Sequence, residues 1–146
     1  MGSQKGFDTG PAVLIHRLCR AVNDHDLEGL VACFDPGYRN ETPAHPERGF
    51  VGTEQVRRNW SQIFAAIPDL QADVVDVAVE GDKVWSEWEH RGTRKDGSEH
   101  LMRGVVIFGI EGGRAAWARF FLEPVQHGHG SVDDAVRTQV EGGASR

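Results

Sequence analysis

Three turn signals divide the second half of the chain into strand-length pieces. They are the dipeptides Gly81-Asp82, Asp96-Gly97 and Gly112-Gly113. Each suits a two-residue turn between antiparallel strands, because glycine, asparagine and aspartate tolerate the positive φ angles that such turns require. The spacing of the dipeptides therefore predicts a four-stranded antiparallel meander over residues 70–125.

Residues 84–91 show the clearest strand pattern within this meander. Successive side chains of a strand point to opposite faces of the sheet. One face of this strand carries Val84, Ser86, Trp88 and His90, and the other carries Trp85, Glu87, Glu89 and Arg91. Because each face carries a tryptophan, neither face is expected to be freely solvated.

Two-residue turns also determine which residues pair across each hairpin. The resulting pairs include Val79 with Val84, Asp73 with His90, His90 with Arg103, and Arg103 with Leu122. Asp73, His90 and Arg103 would then form one polar layer near the end of the sheet.

This register predicts two unlike faces. The more aliphatic face, which the helices should cover, carries Val75, Val77, Val79, Val84, Trp88, Val105, Ile107, Phe120 and Leu122. The other face carries a row of Trp85, Phe108 and Trp117, with Glu87, Val106, Arg119 and Phe121 beside it. The second face is too apolar for free solvation and too charged for a core, so we expect it to meet another surface.

Four segments carry the signals of helices. Their predicted caps are Asp8 or Thr9, Asp26, Thr53 and Ser131. The third helix, which Pro68 ends, has an apolar face with three- and four-residue spacing. Three helices followed by a meander predict an α+β fold in which the N-terminal helices pack on a mainly antiparallel sheet.

Length and charge limit the domain count and the classes of partner. A chain of 146 residues amounts to one domain, and we divide it into a flexible lead-in at 1–10, a domain at 11–125 and a tail at 126–146. A formal net charge of −6 argues against a nucleic-acid partner, because phosphate binding needs clustered lysine and arginine. No run reaches the roughly 18 apolar residues of a membrane span, so no membrane partner is expected.

Cysteine and histidine usage points away from disulfides and metals. Cys19 and Cys33 lie in apolar helical patterns, where buried thiols are more common than a disulfide. His127-Gly128-His129 has no third ligand at a usual spacing, so no metal site is expected. With no visible secretory signal, these features favour a cytoplasmic protein.

Several short motifs occur at matching places along the predicted elements. They are Tyr38-x-Asn40-x-Thr42-Pro43, Gly49-x-x-Gly52, Phe64-x-x-Ile67-Pro68-Asp69-Leu70, Gly81-Asp82-x-Val84 and Gly92-Thr93. Over residues 11–125 the chain resembles the SnoaL-like polyketide cyclase family of the nuclear-transport-factor-2-like superfamily. The resemblance implies a cone-shaped fold with a curved sheet, in a superfamily that holds both enzymes and non-enzymes.

Two enzyme families of this superfamily suggest where chemistry would lie. Tyr38 and Asn40 match a pair that helps to hold the attacking water in limonene-epoxide hydrolases. At the positions of the acid-bearing motifs of those enzymes, this chain has Trp88, His90 and Phe120. The acids that activate the water are therefore missing. In SnoaL-like cyclases an acidic residue late in the chain acts as acid and base, and Glu123 lies near that position, although the register places it on the face away from the helices.

His90 is the strongest candidate for chemistry, because an imidazole titrates close to neutral pH. Asp73 would orient His90, and Arg103 would stabilise an enolate or carboxylate oxygen. Tyr38 and Asn40 would position a water or a ligand carbonyl. The alternative is a polar layer satisfied by water and by its own hydrogen bonds, with a strand pair that only satisfies nearby loop backbone.

Large apolar side chains in the same region predict a cavity. The residues expected to line it are Trp60, Phe64, Trp88, Phe120 and Leu122. They would bind a small hydrophobic molecule, and the alternative is that they are plain core.

These features together predict a small-molecule pocket protein of SnoaL-like type. His90 acid–base chemistry, without a cofactor, would suit an isomerase, a cyclase or a hydrolase of hydrophobic substrates. The alternative is a non-catalytic ligand-binding domain or a dimeric assembly domain.

The face away from the helices predicts self-association. Its aromatic residues would bury about 150–250 Å² each, and an exposed patch of that total size is unusual on a monomer. We expect a two-fold homodimer through Trp85, Phe108, Trp117, Arg119 and Phe121. The alternative is that the C-terminal helix covers this face with Val132, Val136 and Val140.

Overall fold

The computed structural model describes residues 10–128 and 130–142. The helices are α1 Ala12–Asn23, α2 Leu27–Val31, α3 Thr53–Ala66 and α4 Val132–Glu141. The strands are β1 Phe34–Glu41, β2 Phe50–Val51, β3 Gln71–Glu80, β4 Lys83–Thr93, β5 Glu99–Glu111 and β6 Arg114–Pro124, with a 3-10 turn at Pro46–Arg48. The predicted α+β class is confirmed. The predicted cap at Asp8 or Thr9, and most of the lead-in, lie outside the described residues.

The six strands form one sheet in the order β2-β1-β6-β5-β4-β3. β1 and β6 are parallel and every other pair is antiparallel, so β3 to β6 are the predicted meander. α1 packs on β3, and α3 packs on β1 and α2. We call the face towards these helices the inner face and the opposite one the outer face. The residues that α1 buries against the inner face include Leu14, Ile15, Leu18 and Val22.

Local sequence sets where the helices begin. The Asp26 carboxylate accepts a hydrogen bond from the third residue of α2 at 3.0 Å, as expected of a cap. The predicted cap at Thr53 is wrong, since Gly52 occupies the cap position with φ of 94° and Thr53 is already helical. Ser131 caps α4 as predicted, in a reciprocal pair of hydrogen bonds with Asp134. In the described part of the chain no helix is long and apolar enough to cross a membrane.

The first hairpin follows the predicted register only near its turn. The pairs beside Gly81-Asp82 are as predicted, but a β-bulge at Val75 adds one residue to β3. Val75, expected beneath the helices, is 60% exposed. Beyond the bulge Ala72 pairs with His90. The prediction that Asp73 faces His90 is therefore wrong, because the extra residue turns Asp73 to the outer face.

The second hairpin turns over three residues rather than two. Gly97 adopts the left-handed φ of 86°, and its N–H donates to the Arg94 carbonyl at 2.9 Å. The additional residue moves β5 by one place against β4, so Met102 pairs with His90. The predicted pairing of Arg103 with His90 is wrong for this reason.

The one-place shift exchanges the two faces of β5. Residues that point inward are Val106 and Phe108, and residues that point outward are Arg103, Val105 and Ile107. The predicted faces of these five residues are therefore wrong. A second bulge, at Ala116 in β6, offsets the shift. Phe120 and Leu122 consequently face the helices as predicted.

The outer face carries exposed aromatic residues, with Trp85 46% and Phe121 41% exposed. The Trp117 ring lies so close to Gly109 that no side chain would fit there. The Arg119 guanidinium lies 4.7 Å from the Trp117 ring centroid. Phe108 contributes nothing to this face, since it is 1% exposed on the inner one. The valines of α4 remain 49–80% exposed, so they bury little of their surface against the rest of the chain.

Candidate active site

A cavity of about 280 Å³ opens between the helices and the inner face. Its lining includes Phe34, Tyr38, Asn40, Thr42, Arg48, Phe50, Val56, Asn59, Trp60, Ile63, His90, His100, Met102, Phe120, Leu122 and Glu123. A smaller apolar pocket of about 30 Å³, here called the extension, shares five lining residues with this cavity, among them His90, and is also lined by Leu18, Val22, Trp88, Val106 and Phe108. The main volume is close to the lower end of the roughly 300–1,000 Å³ typical of small-molecule sites.

His90 lies where the cavity meets its apolar extension. β4 places it on the inner face, with its ring centroid 6.0 Å from that of Trp60 and 5.7 Å from that of Trp88. Burial, together with the nearby His100, lowers the pKa of His90 to about 4. The imidazole is therefore neutral at pH 7.

The ring nitrogens of His90 have no hydrogen-bond partner within the described residues. No side-chain nitrogen or oxygen there is both fully buried and unpartnered. The nitrogens of His90 must therefore keep access to the cavity. A polar group that lies in an apolar wall and has no partner in the protein is free to bind a ligand. It is also free to accept a proton from that ligand.

Asp73 and Arg103 do not join His90. On the outer face, Arg91 Nη1 lies 2.6 Å from Asp73 Oδ2, and Arg103 Nε lies 2.7 Å from Glu89 Oε2. The predicted triad is wrong because the bulge in β3 and the three-residue turn each displace one partner.

Tyr38 and Asn40 form a buried pair at the cavity wall. The Tyr38 hydroxyl donates to Asn40 Oδ1 at 2.7 Å, and Asn40 Nδ2 donates to Thr42 Oγ1 at 3.4 Å. Burial raises the pKa of Tyr38, so its hydroxyl stays protonated. The pair thus holds the Asn40 amide in one orientation towards the cavity, and its positioning role stays a prediction.

Four of the five predicted lining residues border the cavity or its extension: Trp60, Trp88, Phe120 and Leu122. Phe64 does not, because it stacks on His25 with ring centroids 4.5 Å apart. A His25 ring nitrogen lies 3.0 Å from the Leu70 carbonyl oxygen. Phe64 is therefore a packing residue between α3 and the turn after α1.

Sequence reasoning missed the polar groups at the cavity mouth, among them Arg48, Asn59 and His100. Glu123 also lines the cavity, although alternation along β6 predicted the outer face. Its Oε1 lies 3.1 Å from Nε2 of His45, in the loop after β1. The family resemblance was the one signal for Glu123, since it expects an acid late in the chain. Across residues 10–128 and 130–142, no cluster of three or more histidine, cysteine or acidic residues could hold a metal.

Three solved structures share this fold. IdmH from Streptomyces antibioticus, a candidate polyketide cyclase, is 23% identical with a TM-score of 0.69, over 79% of this chain and 93% of its own. A candidate SnoaL-like polyketide cyclase from Jannaschia sp. CCS1 is 22% identical with a TM-score of 0.65, over 88% and 89%. A protein from Catenulispora acidiphila DSM 44928 with a ketosteroid isomerase-like fold is 15% identical with a TM-score of 0.64, over 73% and 82%.

The structural likeness at these identities concerns the fold. A search of curated proteins found no match to this sequence. The family profile described as SnoaL-like domain matches residues 15–118, which run from α1 into β6 and supply most of the cavity wall. The chain therefore belongs to the SnoaL-like domain family.

Proposed function

We propose that this protein is a cofactor-free proton-transfer enzyme that acts on a hydrophobic carbonyl compound, in an isomerisation or an aldol-type cyclisation. The observation that carries the proposal is the buried, neutral His90, whose ring nitrogens have no partner among the described residues while it lines the cavity. A neutral imidazole can accept a proton from a carbon acid next to a carbonyl group.

The lowered pKa of His90 is compatible with this role. Alone, the buried imidazole is a weak base because the apolar wall disfavours its cation. Proton removal from the substrate leaves an enolate beside the new imidazolium. The opposite charges stabilise each other in the low-dielectric cavity, which raises the pKa of His90 at the moment when it must hold the proton.

Asn40 is the proposed group for the enolate oxygen. Tyr38 donates to Asn40 Oδ1, so the amide turns its N–H groups towards Thr42 and the cavity. A fixed donor of this kind stabilises negative charge as it develops, and it does not need to reorganise.

Glu123 and His45 form a second acid–base pair at the mouth of the cavity. An isomerisation removes a proton at one carbon and returns a proton at another, and an aldol closure protonates an alkoxide. The pair can serve this second transfer, in line with the late acidic residue of SnoaL-like cyclases.

A non-catalytic binding domain is the second candidate. It is favoured by the loss of Asp73 and Arg103 from the site, because His90 then has no residue that orients its ring by a hydrogen bond. Packing between Trp60 and Trp88 is what supports the ring instead. Hydrolysis in the manner of limonene-epoxide hydrolases is not favoured, since Trp88, His90 and Phe120 replace the acids.

Hydrogen–deuterium exchange separates the two candidates. Bicyclic ketones such as 1-tetralone are incubated with the protein in D₂O, and loss of the α-proton NMR signals is followed against buffer. We expect catalysed exchange, and a fall of about 10²-fold or more in His90→Gln, the usual contribution of a general base. His127→Gln, at an exposed histidine, is the matched control. Ketone binding without catalysed exchange would identify a binding domain.

A further inference from the structure

We infer that the cavity takes a hydrophobic acid, whose carboxylate is held at the mouth by Arg48 and Asn59 and whose apolar body lies towards the extension under α1. The inference rests on the proposed function for the site and adds the charge class of the ligand. It comes from the hydrogen-bonding groups that the cavity leaves free.

Three side chains of the cavity wall each have an oxygen that is already engaged. Asn40 Oδ1 accepts from Tyr38 at 2.7 Å, and Asn59 Oδ1 accepts from Gln55 Nε2 at 2.8 Å. Glu123 Oε1 lies 3.1 Å from the ring of His45. A ligand that presents donors at these three oxygens would therefore have to compete with bonds that the protein has already made.

The orientation of Asn59 follows from its neighbours on α3. Arg58 Nη2 lies 2.7 Å from Gln55 Oε1, and a guanidinium can only donate. Gln55 must consequently offer its NH₂ group to Asn59 and meet the Asn59 oxygen. Both N–H bonds of the Asn59 amide are left for the cavity, which Asn59 lines.

Arg48 adds a full positive charge to these donors. It lines the cavity at the end of the 3-10 turn. Within the described residues its guanidinium forms no ion pair and no hydrogen bond. Arginine binds carboxylates through two parallel N–H bonds. The unpaired guanidinium and the Asn59 amide, which line the same cavity, therefore suit a carboxylate.

The extension suits the apolar part of the same molecule. Trp88, Val106 and Phe108 line the extension, and His90 borders both regions. A ligand bound in this direction places the carbons between its acid group and its ring system next to His90.

Calorimetric titration with two isosteric probes tests the inference. The probes are 2-naphthylacetate and its neutral amide, 2-naphthylacetamide, at pH 8 and low salt. We expect the wild-type protein to prefer the carboxylate by about tenfold or more, the ratio for one charge-assisted hydrogen bond. Arg48→Gln should lose this preference by weakening the carboxylate alone. Arg17→Gln, an exposed arginine whose Nη1 donates to the Gly113 carbonyl, should keep it.

Gln55→Glu tests the donor argument, and the neutral amide is its readout, because the new negative charge alone would weaken the carboxylate probe. A glutamate at this position can only accept, so Asn59 would turn its NH₂ group towards it and its oxygen towards the cavity. We expect the carboxylate to bind more weakly and the amide to bind as well or better. Unchanged probe ratios in Gln55→Glu would remove Asn59 from the site.

The inference would be overturned if the wild-type protein bound both probes equally, or if it bound neither probe. Titration involves no chemical step, so it stands apart from the exchange assay. Catalysed exchange without a carboxylate preference contradicts this inference alone. A carboxylate preference without catalysed exchange, including in a bicyclic ketone that also carries a carboxylate, contradicts the proton-transfer proposal alone.

Discussion

The ionisable residues on the two faces of β4 differ in whether they have partners. On the outer face Glu89 pairs with both Arg91 and Arg103, and Arg91 also pairs with Asp73. On the inner face His90 has no hydrogen-bond partner among the described residues. The strand alternation thus separates ionisable residues that pair with one another from one whose ring nitrogens stay open to the cavity.

The two faces also differ in how much their residues contribute to stability, because they differ in solvent exposure. The ion pairs of the outer face are partly open to solvent, since the arginines and Asp73 are 48–61% exposed and Glu89 is 24% exposed. Solvent-exposed pairs contribute about 0–1 kcal/mol. The inner face is buried, so changes there alter both packing and protonation. The number of charged contacts is therefore a poor guide to the functional face of this sheet.

The largest expected effect is on stability, when a tryptophan on the inner face and one on the outer face are each replaced by alanine in separate variants. Trp88 is 3% exposed and donates from Nε1 to Ser86 Oγ at 2.8 Å. Trp88→Ala should lower the free energy of unfolding by about 3–5 kcal/mol. Trp85→Ala, at a residue 46% exposed, should cost the monomer fold much less. Urea unfolding of both variants measures the difference, and equal losses would contradict the assignment of the faces.

The pH dependence of stability should report His90. Its pKa is about 4 in the folded chain and near its usual 6.5 in the unfolded chain. Between these values the unfolded state binds the extra proton, so stability is full above about pH 6.5 and is lost as pH falls to about 4. The loss is on the order of 3 kcal/mol. Urea titrations of wild type and His90→Gln at pH 7 and 4.5 measure it. An identical pH dependence in the two proteins would show that His90 is not buried in its neutral form.

Self-association through the outer face stays a prediction, now without Phe108. We expect a dimer of twice the 16.1 kDa chain mass in light scattering, because Trp85 and Phe121 together present a substantial exposed apolar surface. Trp85→Glu combined with Phe121→Glu should give the monomer. Val51→Glu, at another exposed apolar residue, should stay dimeric. A monomeric wild type at micromolar concentration would contradict the prediction.

The smallest expected effect is that of Asp73→Asn on His90. The two residues lie on opposite faces, and Asp73 pairs with Arg91. The imidazole pKa, followed by NMR, should therefore stay almost unchanged. A shift of half a unit or more would place Asp73 close to His90 after all.

The sequence predicts the inner face of β4 but not its partners. Ser86, Trp88 and His90 occupy alternate positions of one strand, so they share a face. This can be predicted from the alternation in that strand alone, without the pairing of neighbouring strands. The neighbours depend on register, and Asp96-Gly97 is compatible with turns of two and of three residues. The bulge at Val75 could not be predicted, because the sequence of β3 is equally compatible with a strand that has no bulge.

The mouth of the cavity was harder to predict, because loop geometry places Arg48 there. Gln55 and Asn59, four residues apart, had a signal in the sequence. Side chains at this spacing meet on one face of a helix, and Arg58 lies three residues after Gln55. Their bonding could therefore have been expected, although its direction towards a cavity could not.

The closing pair of the turn after β4 decides which residues of β5 line the cavity. The turn closes on Arg94 and Ser98, and paired residues lie on the same face of the sheet, so β5 takes its faces from this pair. A loop of another length between Arg94 and Ser98 would preserve the cavity wall as long as these two residues still pair. A two-residue turn at Asp96-Gly97, which would pair Lys95 with Ser98, would instead send Arg103 inward and Phe108 outward. The choice of closing pair, more than the number of loop residues, would then limit which turns a SnoaL-like domain can accept.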